Sequence, residues 1–328
     1  MRYSQIAVRS TMSFCLVSVL GFTILLNATQ NSIAISFQES YQFAGSWGAQ
    51  GIKDGQFDLP HSLAIDISGN IYVTDTGNNR VEKFSPNGTF ISKWGTEGTE
   101  DGQFAQLHDI NVSPDGKFVY TVELSNHRVQ KFTSKGIFVT KWGYENTGGE
   151  GASRRPHQLA IDSSGRVYLT DRANSEILVF DSDGKFITKW GSKGTDAAQF
   201  IKPHGIVFNS KDQMYVTDMG NSRVQEFYKN GTFITKWGSL GQEKGKFSDS
   251  IPGIAVDKMD NVYIIDRSQS VIQKFEGNGT FITKWGSKGT TTDGTMQKPE
   301  DLAINSMTGD VYVTDTKNSR IQKFSDVR

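Results

Sequence analysis

Short runs of alternating apolar and polar residues dominate the chain. In the first full repeat these are Ser62–Asp66 (SLAID), Ile71–Asp75 (IYVTD), Arg80–Phe84 (RVEKF) and Phe90–Trp94 (FISKW). Each is rich in Val, Ile, Tyr or Phe and is bounded by Gly, Asn or Asp, the pattern of a β-strand between tight turns. In the last run Phe90, Ser92 and Trp94 share one face while Ile91 and Lys93 share the other, as the two-residue period of a strand requires. Asn87-Gly88 supplies the hairpin before it, a dipeptide suited to the left-handed turn conformation.

The four-strand unit recurs. Trp47, Trp94, Trp142, Trp190, Trp237 and Trp285 are all the tryptophans of the chain, each is followed by Gly, and they are spaced by about 48 residues. Asp75, Glu123, Asp171, Asp218, Asp266 and Asp315 keep the same step. A fixed period of this length built from short strands predicts an all-β, six-bladed β-propeller with four antiparallel strands per blade. The tryptophans are expected between blades, where a large ring fills the gap. The lysines preceding them (Lys93, Lys141, Lys189, Lys236, Lys284) are expected on outermost strands, where charge discourages edge pairing. The sixth repeat has only three strands before Arg328, and an unpartnered run, Tyr41–Trp47 (YQFAGSW), precedes the first. That N-terminal strand is therefore expected to complete the last blade and close the ring.

Composition narrows the function classes. Lys plus Arg and Asp plus Glu are 35 each, giving a formal net charge of zero, without the basic excess of a nucleic-acid binder. The single cysteine, Cys15, leaves residues 36–328 without a disulfide or a thiolate metal site. Arg2 and Arg9 precede an apolar run, Met12–Leu26, and Ser32-Ile33-Ala34 offers a small-x-small cleavage pattern. Residues 1–35 accordingly read as a signal peptide or an N-terminal membrane anchor, with an extracellular or cell-surface propeller over 36–328. Membrane contact is expected only through that segment if it stays uncleaved. Sequons occur at Asn87, Asn111, Asn230 and Asn278, but in three of them Asn-Gly is explained by the hairpin turn alone.

Two sets of residues stand out against the repeat. Four of the five histidines, His61, His108, His157 and His204, occupy one position immediately before the innermost strand, where blades 5 and 6 carry Pro252 and Glu300. This position is expected to ring the mouth of the central channel, and converging imidazoles there are candidate metal ligands, with zinc the metal in view. The Asp-x-x-Asn-x-Arg turn (Asp75/Asn78/Arg80 and its equivalents) reads as structural, Asn and Asp bonding turn backbone and Arg pairing with the carboxylate. Blades 3 and 5 break it with Glu176 and Val271 in place of Arg, and blade 3 also carries Ser153-Arg154-Arg155 near the place where other blades have Phe57, Phe104, Phe200 or Phe247. Arg154 and Arg155 are thus candidate binding residues.

The recurring phrase Phe-x-x-Pro-His-x-Leu-Ala-Ile-Asp … Tyr-Val-Thr-Asp-x-x-Asn-x-Arg-Val closely resembles the NHL repeat, six copies of which span roughly residues 41–328. The resemblance implies a six-bladed propeller and is compatible with binding proteins as well as enzymes. A more local resemblance is to the peptidyl-hydroxyglycine amidating lyases, in which the Pro-His-x-hydrophobic position supplies three zinc-binding histidines from alternate blades. Carried over, that alternation selects His108, His204 and Glu300, with His61 and His157 as a second choice because Pro252 leaves their set incomplete. Asp109, following His108, resembles the Pro-His-Asp phrase carrying the lyases' catalytic acid. The chain departs from the lyases at Asp75-Thr76-Gly77-Asn78-Asn79, where their tyrosine-bearing turn would fall. No counterpart of their catalytic arginine is recognised. The resulting expectation is an exported binding module for a protein, peptide or glycan at the loop-rich face. The alternative is a zinc-dependent lyase or hydrolase with its metal at the channel mouth.

Overall fold

The computed structural model describes residues 40–143 and 155–327, plus a short pairing of Ser18–Val19 with Phe22–Thr23. The predicted targeting segment otherwise lies outside the described residues, as do Ser153 and Arg154. Six four-stranded antiparallel sheets follow one another, each in simple up-and-down order from channel to rim. Their innermost strands are Pro60–Ile65, Leu107–Val112, Pro156–Ile161, Pro203–Phe208, Ile254–Val256 and Pro299–Ile304. The sixth sheet ends on Tyr41–Trp47, which pairs with Arg320–Asp326. The chain therefore closes its own ring as the strand count predicts.

Burial falls from the second strand outward, and the sequence follows it. The second strand of the first blade, Ile71–Asp75, is buried at every position, because neighbouring blades cover both its faces. The outermost, Phe90–Trp94, alternates between half-buried and exposed. Five outer tryptophans lie against the next blade's hairpin glycine, and Trp285, which faces the ring closure, stacks on Tyr41 with centroids 4.0 Å apart. At Gly136, which has φ +81°, a Cβ would stand 2.7 Å from Cδ2 of Trp94. The glycine thus supplies the left-handed turn and also the flat surface on which the indole packs. Lys93 lies on the rim with Asp54 at 2.6 Å, and Lys141 pairs with Asp101 at 2.8 Å.

The Asp-x-x-Asn-x-Arg turn ties each blade to its entry loop. Arg80 donates from Nε to Asp75 at 2.8 Å, from Nη1 to the Ile52 carbonyl at 2.7 Å, and from Nη2 to the Lys53 and Gln56 carbonyls at 3.0 and 2.8 Å. Arg128, Arg223 and Arg320 pair with Glu123, Asp218 and Asp315 in the same way. The structural reading of this motif holds.

Candidate metal centre at the channel mouth

A β-bulge builds the site. In the first blade Pro60 pairs with Asp75 and Leu63 with Val73, so His61 and Ser62 together face Thr74 alone. A bulge of this kind re-aims side chains. Its displaced amide is recovered by the threonine of the Tyr-Val-Thr-Asp phrase: Thr74 Oγ1 accepts the Ser62 N–H at 2.8 Å, and Thr170, Thr217 and Thr314 serve Gln158, Gly205 and Asp301 likewise. The repeated threonine therefore clamps the bulge in blades 1, 3, 4 and 6, whereas blade 2, which presents His108, has Val122 there and pairs it with Asp109.

The four histidines touch in succession. Ring centroids are 3.8 Å apart for His61–His108, 4.6 Å for His108–His157 and 4.7 Å for His157–His204. His108, His157 and His204 are buried, and each places a ligand-capable nitrogen within 4.8 Å of those of the others. His108 Nδ1 lies 3.1 Å from the His157 carbonyl and His204 Nδ1 lies 3.1 Å from that of Pro252. Donation from Nδ1 to a carbonyl fixes the tautomer and leaves Nε2 as a bare lone pair, the form a metal requires. His157 Nδ1 is buried without a hydrogen-bond partner. Burial, followed by neighbouring positive or ionisable groups, pushes all three below the ordinary histidine range and keeps them neutral.

The set that converges differs from the alternate-blade set. Glu300 accepts from Arg267 Nη1 at 2.6 Å and has its other oxygen 3.9 Å from His61 Nε2. It is engaged on the side of the mouth away from His157. The structure brings together three consecutive blades instead, because the innermost strands are close enough for adjacent imidazoles to meet. His157, a second-choice residue by sequence, takes the place assigned to Glu300. His61 lies beside His108 and is not part of the convergent trio.

One residue further along the strands lies a layer of acids. Ser62 Oγ is 2.8 Å from Asp109 Oδ1 and 2.6 Å from Asp301 Oδ2, and Asp109 Oδ2 accepts the Leu159 N–H at 2.8 Å. One hydroxyl proton cannot serve two carboxylates, so a further proton resides on the pair. Burial accordingly raises Asp109 well above the usual carboxylate range and Asp301 to about 6. Both acids face a cavity of ≈ 230 Å³ with Gln158 and the apolar side chains of the innermost strands. Asp301 and Ser62 escape notice in the sequence because they match no motif, yet comparing the residue after the histidine slot across blades would have found them.

On the outer side of the histidines, Arg155 and Arg172 line a cavity of ≈ 560 Å³ together with Gln106, Leu124, Ser125, His127 and His157. Arg155 is exposed and Arg172 half-buried. Arg172 and Arg267 were not singled out by sequence, although each directly follows a repeat carboxylate, Asp171 or Asp266.

Comparison with known families agrees with this architecture. A model described as the NHL repeat matches residues 57–84 and 296–324, and one described as a 6-bladed beta-propeller matches residues 153–224. The chain carries NHL repeats. No curated protein matches it. Among solved structures, a Bacteroides thetaiotaomicron protein superposes with TM-score 0.67 at 15% identity, over 91% of this chain and 78% of that one. Virginiamycin B lyase from Staphylococcus aureus gives 0.59 at 13%, over 87% and 99%. A gluconolactonase from Xanthomonas campestris gives 0.58 at 13%, over 83% and 88%. At such identities the likeness is one of fold.

Proposed function

We propose that the protein is an exported NHL propeller that engages a protein, peptide or glycan ligand at its channel mouth through a divalent metal, zinc being the best match, held by His108, His157 and His204. The observation that carries the reading is the convergence of the three neutral imidazoles, two of them oriented by backbone carbonyls. Tetrahedral zinc holds its nitrogens roughly 3.3–3.4 Å apart. The widest pair, at no more than 4.8 Å, would close by at most about 1.4 Å, within the reach of small side-chain rotations. Three histidines leave a fourth position open for a ligand oxygen, and the metal would supply Lewis-acid polarisation there. Export is supported by the basic and apolar pattern of residues 1–35.

A lyase or hydrolase reading is favoured by one further feature, the proton held on Asp109 and Asp301 just beyond the histidine layer. A carboxyl kept protonated near neutral pH is a source of acid catalysis. Under this reading Asp109 holds or receives the proton and Ser62 connects it to Asp301. The test of the shared premise is metal content of the purified protein beside a His108→Ala/His204→Ala double variant. About one zinc per chain, lost in the variant, is expected; a metal-free wild-type protein that also fails to take up added zinc would refute it.

A further inference from the structure

Arginine changes place in two blades. In blades 1, 2, 4 and 6 the residue that closes the turn is Arg80, Arg128, Arg223 or Arg320, each largely buried on a carboxylate and loop carbonyls. Blades 3 and 5 have lost that arginine to Glu176 and Val271. The same two blades have gained one directly after the turn carboxylate, Arg172 and Arg267, where the others carry Thr76, Leu124, Met219 and Thr316. Thr76 and Thr316 donate to the Leu107 and Pro60 carbonyls, and Met219 is buried. The substitution therefore moves a guanidinium from a structural slot to the channel mouth, and it does so only where the structural slot is vacated.

The two displaced arginines are not equivalent. Arg267 is held by Glu300 at 2.6 Å. Arg172 has no carboxylate partner among the described residues, although it is half-buried beside the imidazoles. Its charged neighbours are Arg267 and Arg155, against the single carboxylate of Glu300, which Arg267 already holds. A half-buried guanidinium left without a counter-charge is costly unless a ligand supplies one. Arg155 and Arg172 share one cavity wall with His157, and planar guanidinium forks match oxyanions bidentately.

We propose that the cavity between blades 2 and 3 is an anion site, in which Arg172 and Arg155 receive the carboxylate or phosphate of a small ligand. This goes beyond the metal reading and does not require it. His157 belongs to both walls, so an anion seated there lies next to the histidine cluster.

The test is isothermal titration of the full-length, metal-stripped protein at low ionic strength, with inorganic phosphate in one series and succinate in another. Saturable binding of at least one probe is expected, weakened about 10-fold or more in Arg172→Met and in Arg155→Met. Lys193→Met, which removes the same charge from an exposed site, is expected to bind as wild type. The tighter probe identifies the anion as phosphate-like or carboxylate-like. Because Arg155 is exposed, its variant keeps the test valid if Arg172→Met lowers the melting temperature. Absence of saturable binding, equal weakening in Lys193→Met, or wild-type binding by Arg155→Met would overturn the proposal. Since the protein is metal-free, none of these outcomes bears on whether the histidines bind zinc.

Discussion

Glu82 is the one carboxylate at a position where four other blades place glutamine. Gln130, Gln225, Gln273 and Gln322 each donate from Nε2 to a loop carbonyl, at 2.8, 2.7, 2.7 and 2.6 Å. Each also accepts a loop N–H on Oε1, at 2.9–3.1 Å. Glu82 keeps the acceptor half, taking the Gly55 N–H at 3.0 Å, but has no amide with which to donate. It is fully buried, and burial, only partly offset by Arg80, raises its pKa from 4.5 to about 7. The folded value lies above the unfolded one. Stability from the protonated group is thus fully present below 4.5 and is lost as pH rises through about 7. At about 1.36 kcal/mol per pH unit, the ionised carboxylate costs about 3 kcal/mol above that range. Glu82→Gln restores the donor, removes the charge, and leaves Arg80 with Asp75 and three carbonyls. The variant is expected to be more stable by about 3 kcal/mol at pH 8, with the gain shrinking towards pH 4.5. Urea unfolding followed by tryptophan fluorescence across this range measures it. A gain that does not depend on pH, or no gain at pH 8, would refute the reasoning.

The shared proton of Asp109 and Asp301 carries the same sign. Asp301 is raised from 3.8 to about 6, so its stabilising protonated form is lost as pH rises through that window. The stability of wild type relative to Asp301→Asn should therefore fall between pH 4 and 6 and then level off; a difference independent of pH in urea titrations contradicts proton sharing. For the blade interface, Gly136→Ala sets a Cβ 2.7 Å from the Trp94 ring at φ +81°, whereas Gly309→Ala at φ +79° meets nothing within 4 Å. The first should cost about 2–4 kcal/mol and the second only the backbone strain of about 1 kcal/mol. Equal losses in chemical denaturation would show that the tryptophan contact is immaterial.

The ring was legible because each blade repeats the same physical solution. Alternation, Asn-Gly hairpins and the Trp step report strands, turns and blade contacts, and the unpartnered Tyr41–Trp47 run reports closure. The histidine ring was also legible as a shared position. Which three histidines converge was not, since that depends on the spacing of adjacent innermost strands and on the bulge at each histidine. Glu300 shares the histidine position in the sequence, and only the structure shows its pairing with Arg267. Arg267 itself follows an ordinary turn aspartate and belongs to no recognised phrase. The Ser62 bridge was hidden for a similar reason: it joins residues of blades 1, 2 and 6 that no single repeat contains.

The central claim is that three consecutive blades build one metal centre, and zinc affinity in wild type, His157→Ala and Glu300→Gln tests it most directly. Competition with a chromophoric chelator is the suitable measurement. The account predicts one tight zinc site in wild type, retained in Glu300→Gln and weakened about 100-fold or more in His157→Ala through loss of one of three protein ligands. Retention in His157→Ala with loss in Glu300→Gln, or no zinc site in the wild-type protein, would contradict it.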